Sequence, residues 1–326
     1  MVDNYFCMQK IISIANLIKL PYLFVIVAAE YAMRYGIMEP MLTINGFSLQ
    51  ISSAQFFLLV LASVLIAAGG FIIYAYNDIQ RQRRNQPGKL IIDKHISQKT
   101  AFTAYIAITA AGIGIGIYLS WVTELYIFGK AFAIIASVIW FYSSIFKLYA
   151  GISTLVLALI CSFIPVFIGI TEIPLLNAAY QKTLIKYDHS FLPIMHWLLG
   201  YGIFSFLIIS LHDISKDIQE FFTNPIIKRR TIPTIYGLKP SKIILISILC
   251  LLLSALLYVF LMYFKDKLSL FYISTTLFIP GLILIYIITK GSKKQHFQIV
   301  QIFNIILLLG GLGFTLIVRN IILTKF

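Results

Sequence analysis

The sequence predicts an all-α integral membrane protein with nine transmembrane helices. Three observations lead to this fold class: the composition, the long apolar runs and the placement of the charges. Hydrophobic residues make up 60% of the 326 positions, charged residues make up 12%, and the mean hydropathy is +0.92. Soluble domains carry about twice this share of charge. The composition therefore excludes a soluble protein.

Nine apolar runs are long enough to cross roughly 30 Å of hydrocarbon as helices. They are Ile11–Met33, Ala54–Tyr76, Ala101–Trp121, Leu125–Ser144, Leu148–Thr171, Phe191–Leu211, Ile243–Phe264, Leu268–Thr289 and Ile299–Val318. The segments between them are short, so we expect a single membrane domain over residues 1–326. Its two long loops lie at about 77–99 and 213–241.

The orientation in the membrane follows from Lys and Arg, which concentrate in the loops after spans two, four, six and eight. Because cationic loops resist translocation, we expect these loops and the N-terminus in the cytoplasm and the C-terminus outside. The first run contains Lys19 and Pro21 and reaches span length, so we expect a membrane helix and no cleaved signal peptide. The expected location is the plasma (inner) membrane.

The net charge of +14 is dispersed over loops next to membrane spans. A nucleic-acid-binding protein would gather such charge in one basic patch. Topology and contact with anionic membrane lipid explain the dispersed pattern. We therefore expect membrane lipid as a partner and no nucleic acid.

A polar segment directly after span six contains regularly spaced oxygen ligands. They are Asp213, Asp217, Glu220 and Asn224, at offsets of four, three and four residues. At about 100° per residue, these side chains lie in a narrow stripe on one helix face. Mg²⁺ is held by one or two carboxylates while phosphate oxygens complete its shell. The stripe is therefore a candidate site for Mg²⁺ and a diphosphate at the membrane rim.

Three cations follow this stripe and could neutralise further phosphate charge. They are Lys228, Arg229 and Arg230. The alternative interpretation is a solvated amphipathic helix with ordinary surface charges, since acidic pairs four residues apart are common on helices. The spacing alone leaves both interpretations open.

The two long loops resemble the signature loops of the UbiA family of intramembrane prenyltransferases. The second loop contains Lys216-Asp217-Ile218-Gln219-Glu220, Arg230-Thr231-Ile232-Pro233 and Tyr236-Gly237, similar to the family's KDxxDxxxD segment and the basic-Thr-Leu-Pro run after it. The first loop, with Gly69-Gly70 before it and Asn85-Gln86-Pro87 within it, resembles the stretch around the family's NDxxDxxxD signature. The nine predicted spans, with long loops after the second and the sixth, also match the pattern of this family. The resemblance implies a UbiA-like helical bundle over nearly the whole chain.

The departures from the family pattern fall on the metal ligands. Aligned without gaps, the first signature falls on Tyr74, Ala75, Asp78 and Gln82, with one carboxylate. A register that begins at Asn77-Asp78 needs aspartates where Arg81 and Asn85 stand, so we prefer the gapless register. In the second loop the three aspartates become Asp217, Glu220 and Asn224.

The resemblance implies transfer of a polyprenyl group from a prenyl diphosphate to a lipophilic acceptor, with Mg²⁺ bridging the two loops. The implied catalytic and metal-binding residues are Asp78, Asp217 and Glu220. The diphosphate would be bound by Arg81, Lys89, Lys228 and Arg230, and Asp213 and Asn224 would support and orient the ligands. With few carboxylates we expect one Mg²⁺. The second positive charge would then come from Arg81, Arg83, Arg84 or Lys89.

Two other functions remain open. A UbiA homologue without catalytic activity could bind a prenyl lipid or a partner, and the altered signature residues Tyr74, Ala75, Gln82 and Asn224 favour this alternative. A transporter would usually place ionisable residues near the bilayer midplane, whereas these residues cluster at one rim.

Other residues receive structural interpretations. Gly69-Gly70 in span two and Gly310-Gly311 in span nine are predicted to be close helix contacts. Lys19, inside an apolar run, is predicted to snorkel, with an inward-facing role as the alternative.

Overall fold

The computed structural model describes residues 12–79, 83, 91–93, 96–188, 190–223 and 230–325. Within these ranges the chain is helical apart from short connections and one β-bridge between Ile92 and Ile96. Eight of the helices described are long and apolar enough to cross a membrane. The predicted all-α membrane fold is confirmed.

The α-helices are numbered here in chain order. They are α1 (Leu20–Tyr31), α2 (Glu39–Thr43), α3 (Ser53–Asn77), α4 (Gln98–Thr123), α5 (Ile127–Ser144), α6 (Ile152–Ala179), α7 (Gln181–Tyr187), α8 (Leu192–Thr223), α9 (Ile232–Tyr236), α10 (Leu238–Tyr263), α11 (Lys267–Ile273), α12 (Ile279–Lys290) and α13 (Lys294–Lys325). A π-helical segment, Ser274–Phe278, joins α11 to α12. Predicted spans two to nine are all helical, and α8 continues well beyond the predicted end at Leu211.

The first predicted span, Ile11–Met33, differs in a minor way. A helical stretch over 12–17 is interrupted at Lys19, whose φ of 51° lies in the left-handed region. Few residues other than glycine adopt this conformation, and it ends a right-handed helix. The chain then forms α1, a π-helical segment over Ala32–Met38, and α2. The helix break explains why eight continuous membrane-length helices are counted among the residues described.

The chain divides into two compact units. Unit 1 comprises Met1–Glu30, Leu49–Phe146 and Thr171–Thr183, and unit 2 comprises Tyr31–Ser48, Lys147–Ile170 and Leu184–Phe326. The single membrane domain over 1–326 remains a prediction from the sequence.

Unit 1 is built around α3, α4 and α5, which pack against one another. Glycines bring these helices close together, as is common in membranes. A Cβ atom added at Gly69 would lie 2.3 Å from Thr109 Oγ1, and one at Gly70 would lie 2.6 Å from Ile139 Cγ2. The predicted role of Gly69-Gly70 as a close helix contact is confirmed.

Unit 2 is built around α8, α10, α12 and α13. Buried side chains from these four helices, including Leu211, Leu249, Leu284 and Leu307, form one apolar cluster. The α13 glycines again mark close contacts, because a Cβ added at Gly311 would lie 2.3 Å from the Phe204 ring. The predicted contact at Gly310-Gly311 is confirmed.

Candidate functional site

The first part of the candidate site lies at the end of α3, in unit 1. Asp78 caps this helix with a φ of −103° and a ψ of 0°, and its backbone N–H donates to the Ala75 and Tyr76 carbonyls. Tyr74 precedes Asp78 by four residues, about one helical turn. The Asp78 side chain is buried. In the gapless register, Asp78 is the one carboxylate at the end of this helix.

Side chains of α5 hold the end of α3 in place. Asn77 Nδ2 donates to Ser143 Oγ and to Ser144 Oγ, both at 3.1 Å. The Tyr74 ring stacks on Tyr142, with centroids 6.1 Å apart and an interplanar angle of 17°. The Asn77 amide is therefore used in an interhelical contact.

Lys19 contributes a positive charge beside Tyr74. Its Nζ lies 5.6 Å from the centroid of the Tyr74 ring, 5.2 Å from that of Phe71 and 5.9 Å from that of Tyr22. These distances fall within the range of cation–π interactions. Two interpretations of Lys19 were open from the sequence, and the geometry supports the inward-facing one, because the ammonium group lies among the aromatic side chains of unit 1.

The described part of the first loop contains an ion pair. Both Nε and Nη2 of Arg83 donate to Asp93 Oδ2, and Gln98 Nε2 donates to Asp93 Oδ1 at 2.8 Å. The hydrogen bond from Gln98, followed by that from Arg83, lowers the pKa of the Asp93 carboxyl. Arg83 was one of the predicted sources of charge for a diphosphate, and here its guanidinium group contacts a carboxylate instead.

The second part of the candidate site lies on α8, in unit 2. This helix continues unbroken from Leu192 to Thr223. At 1.5 Å per residue it is about 48 Å long, more than the roughly 30 Å of a hydrocarbon core. Asp213, Asp217 and Glu220 therefore share one face of a single rigid helix near its end, as their spacing predicts.

Burial decides between the two interpretations of this stripe. Asp213 and Asp217 are only 5% and 4% exposed, and Glu220 is half-buried. The solvated-helix interpretation is therefore wrong for Asp213 and Asp217, because the charges of a solvated helix would face water. Asp213 Oδ2 accepts a hydrogen bond of 2.7 Å from Thr154 Oγ1 of α6. A buried carboxylate requires such a donor.

The neighbouring faces of α8 fix the direction of the stripe. Leu211, Ile214 and Ile218 are buried in the apolar cluster of unit 2. Gln219 Oε1 accepts a hydrogen bond from Gln301 Nε2 of α13. Apolar packing and this polar contact together restrict rotation of the helix, so the carboxylates keep a defined orientation.

The Arg230-Thr231-Ile232-Pro233 segment begins helix α9. The backbone N–H of Thr231, the N-cap, donates to Thr234 Oγ1 at 2.7 Å. Pro233 lies in the first turn, where a missing N–H costs no helical hydrogen bond. Gly237 then separates α9 from α10. Its φ of 86° is a backbone conformation that favours glycine. Arg230, just before the cap, is exposed.

The structure thus brings Asp213, Asp217 and Glu220 together on α8 in unit 2, whereas Asp78 belongs to unit 1. Four predicted site residues lie outside the residues described: Arg81, Lys89, Lys228 and Asn224. Thr154 was missed by sequence reasoning, because it is 59 residues away from Asp213 and no local pattern marks it.

The carboxylates of α8 fit a Mg²⁺ site that substrate phosphates complete. In the part of the chain that the structure describes, no group of three or more His, Cys, Asp or Glu side chains could hold a metal ion. Mg²⁺ commonly takes one or two carboxylates and is completed by substrate phosphates and water. Asp217 and Glu220, three residues apart on one helix face, supply hard oxygen donors of this type. The residues present fit a Mg²⁺ that is bound together with a diphosphate.

Comparison with known families agrees with these features. The model of the UbiA prenyltransferase family matches residues 43–309. The chain belongs to this family. Together with the long apolar helices, the match establishes an integral membrane protein of the UbiA family, and the resemblance seen in the two loops is confirmed. No curated protein sequence matches.

Solved structures of UbiA-family proteins share the fold. A structure concerning digeranylgeranylglyceryl phosphate synthase is 15% identical, covers 94% of this chain and 99% of its own, and has a TM-score of 0.63. The apo structure of a UbiA homologue from Aeropyrum pernix K1 is 14% identical, covers 89% and 97%, and has a TM-score of 0.62. A UbiA homologue from Archaeoglobus fulgidus bound to GPP and Mg²⁺ is 15% identical, covers 93% and 99%, and has a TM-score of 0.59.

Proposed function

We propose that this UbiA-family protein is a membrane prenyltransferase that transfers a polyprenyl group from a prenyl diphosphate to a lipophilic acceptor. The observation that carries the proposal is the buried acidic stripe on α8, where Thr154 fixes Asp213 and where Asp217 and Glu220 share its face. Burying carboxylates is costly unless they bind cations or donors, so a buried stripe indicates a function. Archaeoglobus fulgidus homologues of the same fold bind GPP or DMAPP with Mg²⁺, which supports the same chemistry here.

The proposed reaction replaces one bond to the prenyl C1 atom by another. The bond from C1 to the diphosphate oxygen breaks, and its electron pair leaves with the diphosphate. A nucleophilic atom of the acceptor forms the new bond to C1, and the acceptor loses a proton. The protein must stabilise the negative charge that develops on the leaving diphosphate.

Asp217 and Glu220 are the proposed ligands of one Mg²⁺, and Asp213 is the residue that orients them. A bound Mg²⁺ would supply charge stabilisation worth several kcal/mol to the leaving diphosphate. Asp78 is the third proposed ligand, by its position in the first signature. Arg81, Lys89, Lys228 and Arg230 are the proposed cations for the diphosphate, and Arg230 is exposed directly before the N-cap of α9.

The proposed topology places both signature loops and the N-terminus in the cytoplasm and the C-terminus outside a plasma (inner) membrane. The concentration of Lys and Arg in alternate loops supports this orientation. A polyprenyl tail and a lipophilic acceptor would both reach the protein from the lipid phase.

One observation favours a second candidate function, binding of a prenyl lipid or partner without transfer. Two positions of the first signature are occupied by side chains that carry no carboxylate. Tyr74 stacks on Tyr142, and Ala75 packs against the apolar cluster around Ile72 and Ile79. A protein that had lost the first metal site could keep the fold and the ability to bind a lipid.

Release of pyrophosphate distinguishes the two functions. Purified protein in lipid nanodiscs would be given geranylgeranyl diphosphate, Mg²⁺ and crude lipid as the source of acceptor. We expect Mg²⁺-dependent release from the wild type and from Asp188→Asn, and none above background from Asp217→Asn. Asp188 is a matched control because it is exposed and has a φ of 51°, which asparagine tolerates well.

Each result has a defined meaning. Release that Asp217→Asn does not change would contradict the α8 site. Binding of the diphosphate without any release, over several prenyl chain lengths and acceptor extracts, would support the second function. Absence of both binding and release would overturn the proposed function.

A further inference from the structure

Five lysines lie at the same end of three neighbouring helices of unit 2. They are Lys239 and Lys242 at the start of α10, Lys290 at the end of α12, and Lys293 and Lys294 at the start of α13. Each of these helices belongs to a segment that is long and apolar enough to cross a membrane. Because successive spans run in opposite directions, all five lysines lie at one membrane rim.

Contacts within unit 2 hold the three helix ends together. Lys242 Nζ donates to the backbone carbonyl of Thr289 at 3.4 Å, so its ammonium group lies beside Lys290. Residues 291–293 alone connect α12 to α13. Buried side chains near these ends also join the apolar cluster of unit 2: Leu245, Ile288 and Phe297. The lysines therefore form one surface.

The charge of this surface is not neutralised by carboxylates. Asp266 is the one acidic residue between Arg230 and Lys325 in the sequence, and it caps α11, at the opposite end of α10. In the part of the chain that the structure describes, none of the five lysines forms an ion pair. A group of like charges creates a positive potential that attracts anions.

Apolar side chains next to the lysines indicate which kind of anion fits. Ile243 directly follows Lys242, and Tyr286 precedes Lys290 by about one helical turn. Both side chains are exposed. Tyrosines of this kind are common where a membrane helix meets the headgroups. A phospholipid provides phosphate for the lysines and acyl chains for the apolar side chains, whereas free phosphate provides only the first.

We infer that the ends of α10, α12 and α13 form a binding surface for anionic phospholipid. The ammonium groups contact the headgroup phosphates, and the exposed apolar side chains contact the acyl chains. The net charge of the chain predicts lipid contact in general, and the packing of these three helices gives that contact one location. The surface lies outside the residues proposed to bind Mg²⁺ and diphosphate, so it goes beyond the proposed function.

Lipid binding by the purified full-length protein tests this surface. Delipidated protein in detergent would be titrated with phosphatidylglycerol or phosphatidylcholine of identical acyl chains, and native mass spectrometry would count the bound lipids. We expect the wild type to bind phosphatidylglycerol at least about tenfold more tightly than phosphatidylcholine. Added NaCl should weaken the binding of phosphatidylglycerol alone, because salt screens exposed charges.

A pair of double variants tests the location. Lys290→Gln combined with Lys293→Gln should lower the affinity for phosphatidylglycerol at least about tenfold, because two of the five charges are lost. Lys265→Gln combined with Lys267→Gln is the matched control. It removes the same charge from two exposed lysines at the opposite end of α10. This control should bind both lipids as the wild type does.

A labelling experiment on the wild type removes any dependence on the folding of variants. Lysines would be acetylated in nanodiscs of phosphatidylglycerol and of phosphatidylcholine, and mass spectrometry would follow each site. We expect phosphatidylglycerol to slow the acetylation of Lys290 and Lys293 clearly more than that of Lys265 and Lys267, because headgroup phosphates would cover the first pair.

The outcomes decide the inference without affecting the proposed function. Equal affinity of the wild type for the two lipids would overturn it. Unchanged binding in the Lys290 and Lys293 variant would also overturn it, as would the same loss in both double variants, which would indicate attraction by net charge alone. Equal slowing of acetylation at both pairs of lysines would have the same meaning. The α8 site is tested separately, by Asp217→Asn.

Discussion

The ends of α3 and α8 carry the two signature segments of this UbiA-family protein, and they are built differently. The end of α3 has one carboxylate, Asp78, together with stacked tyrosines and the ammonium group of Lys19. The end of α8 has three carboxylates on one face of an unbroken helix. The proposed metal ligands are thus concentrated on α8, whereas the end of α3 has aromatic packing and a lysine ammonium group beside it. In the gapless register, the end of α3 thus carries aromatic and apolar side chains at two positions where the family signature has polar ones.

The largest expected effect contrasts the two carboxylates directly. Asp217→Asn should lower Mg²⁺-dependent pyrophosphate release by about 10²–10³-fold, because loss of metal stabilisation costs several kcal/mol. Asp78→Asn should lower it by only about tenfold, since Asp217 and Glu220 would remain as carboxylate ligands of the proposed Mg²⁺. Rates would be measured under single-turnover conditions in nanodiscs. Equal losses in both variants would contradict this difference between the two helix ends and would indicate that both contribute equally to metal binding.

The next effect concerns the support of the α8 stripe. Thr154→Val should destabilise the protein by about 1.5–3 kcal/mol and weaken diphosphate binding, because the buried Asp213 carboxylate loses its hydroxyl donor. Thr154→Ser keeps the hydroxyl and is the matched control. Thermal unfolding in nanodiscs would measure the stability. If valine and serine behaved alike, the hydrogen bond would not be what fixes Asp213.

A smaller effect is expected when a signature carboxylate is restored at α3. Ala75→Asp should destabilise the protein by about 1–2 kcal/mol, because Ala75 packs against apolar residues around Ile72 and Ile79. Ala75→Asn separates the effect of charge from that of size. Unfolding would be followed with and without Mg²⁺. Stabilisation of the aspartate variant alone by Mg²⁺ would show that α3 can still hold a metal ion.

The smallest effect is expected in the first loop, at the exposed ion pair of Arg83 and Asp93. Its hydrogen bonds hold the Asp93 pKa below the usual 3.8, so the ionised form stabilises the folded state above that pH. This contribution to folded-state stability is lost only as the pH falls through the lowered pKa of Asp93. At pH 7, Asp93→Asn should shift Tm by no more than about 1 °C, since exposed pairs are well screened. A larger shift at pH 7 would indicate that this pair orders the loop.

Local patterns in the sequence were sufficient to predict most of the helices of the fold. Runs of apolar residues predicted eight of the helices, because a segment in hydrocarbon must satisfy its own backbone hydrogen bonds. The spacing of Asp213, Asp217 and Glu220 placed them on one helix face, because helical geometry is a local property. The paired glycines predicted close helix contacts, because residues without a Cβ atom let two helix backbones approach each other.

The burial and the contacts of the charged side chains depend on residues that are distant in the sequence, so they could not be predicted from local patterns. Whether Asp213 and Asp217 face water or protein was open from their spacing, and burial together with the contact from Thr154 resolved it. The Lys19 ammonium group lies beside rings of α3, some 50 residues further along the chain, and no local pattern predicts this contact. The membrane class, the helices and the family could be predicted from the sequence, because these follow from local composition and pattern. Only the packing of distant segments decided which charged side chains are buried and what they contact.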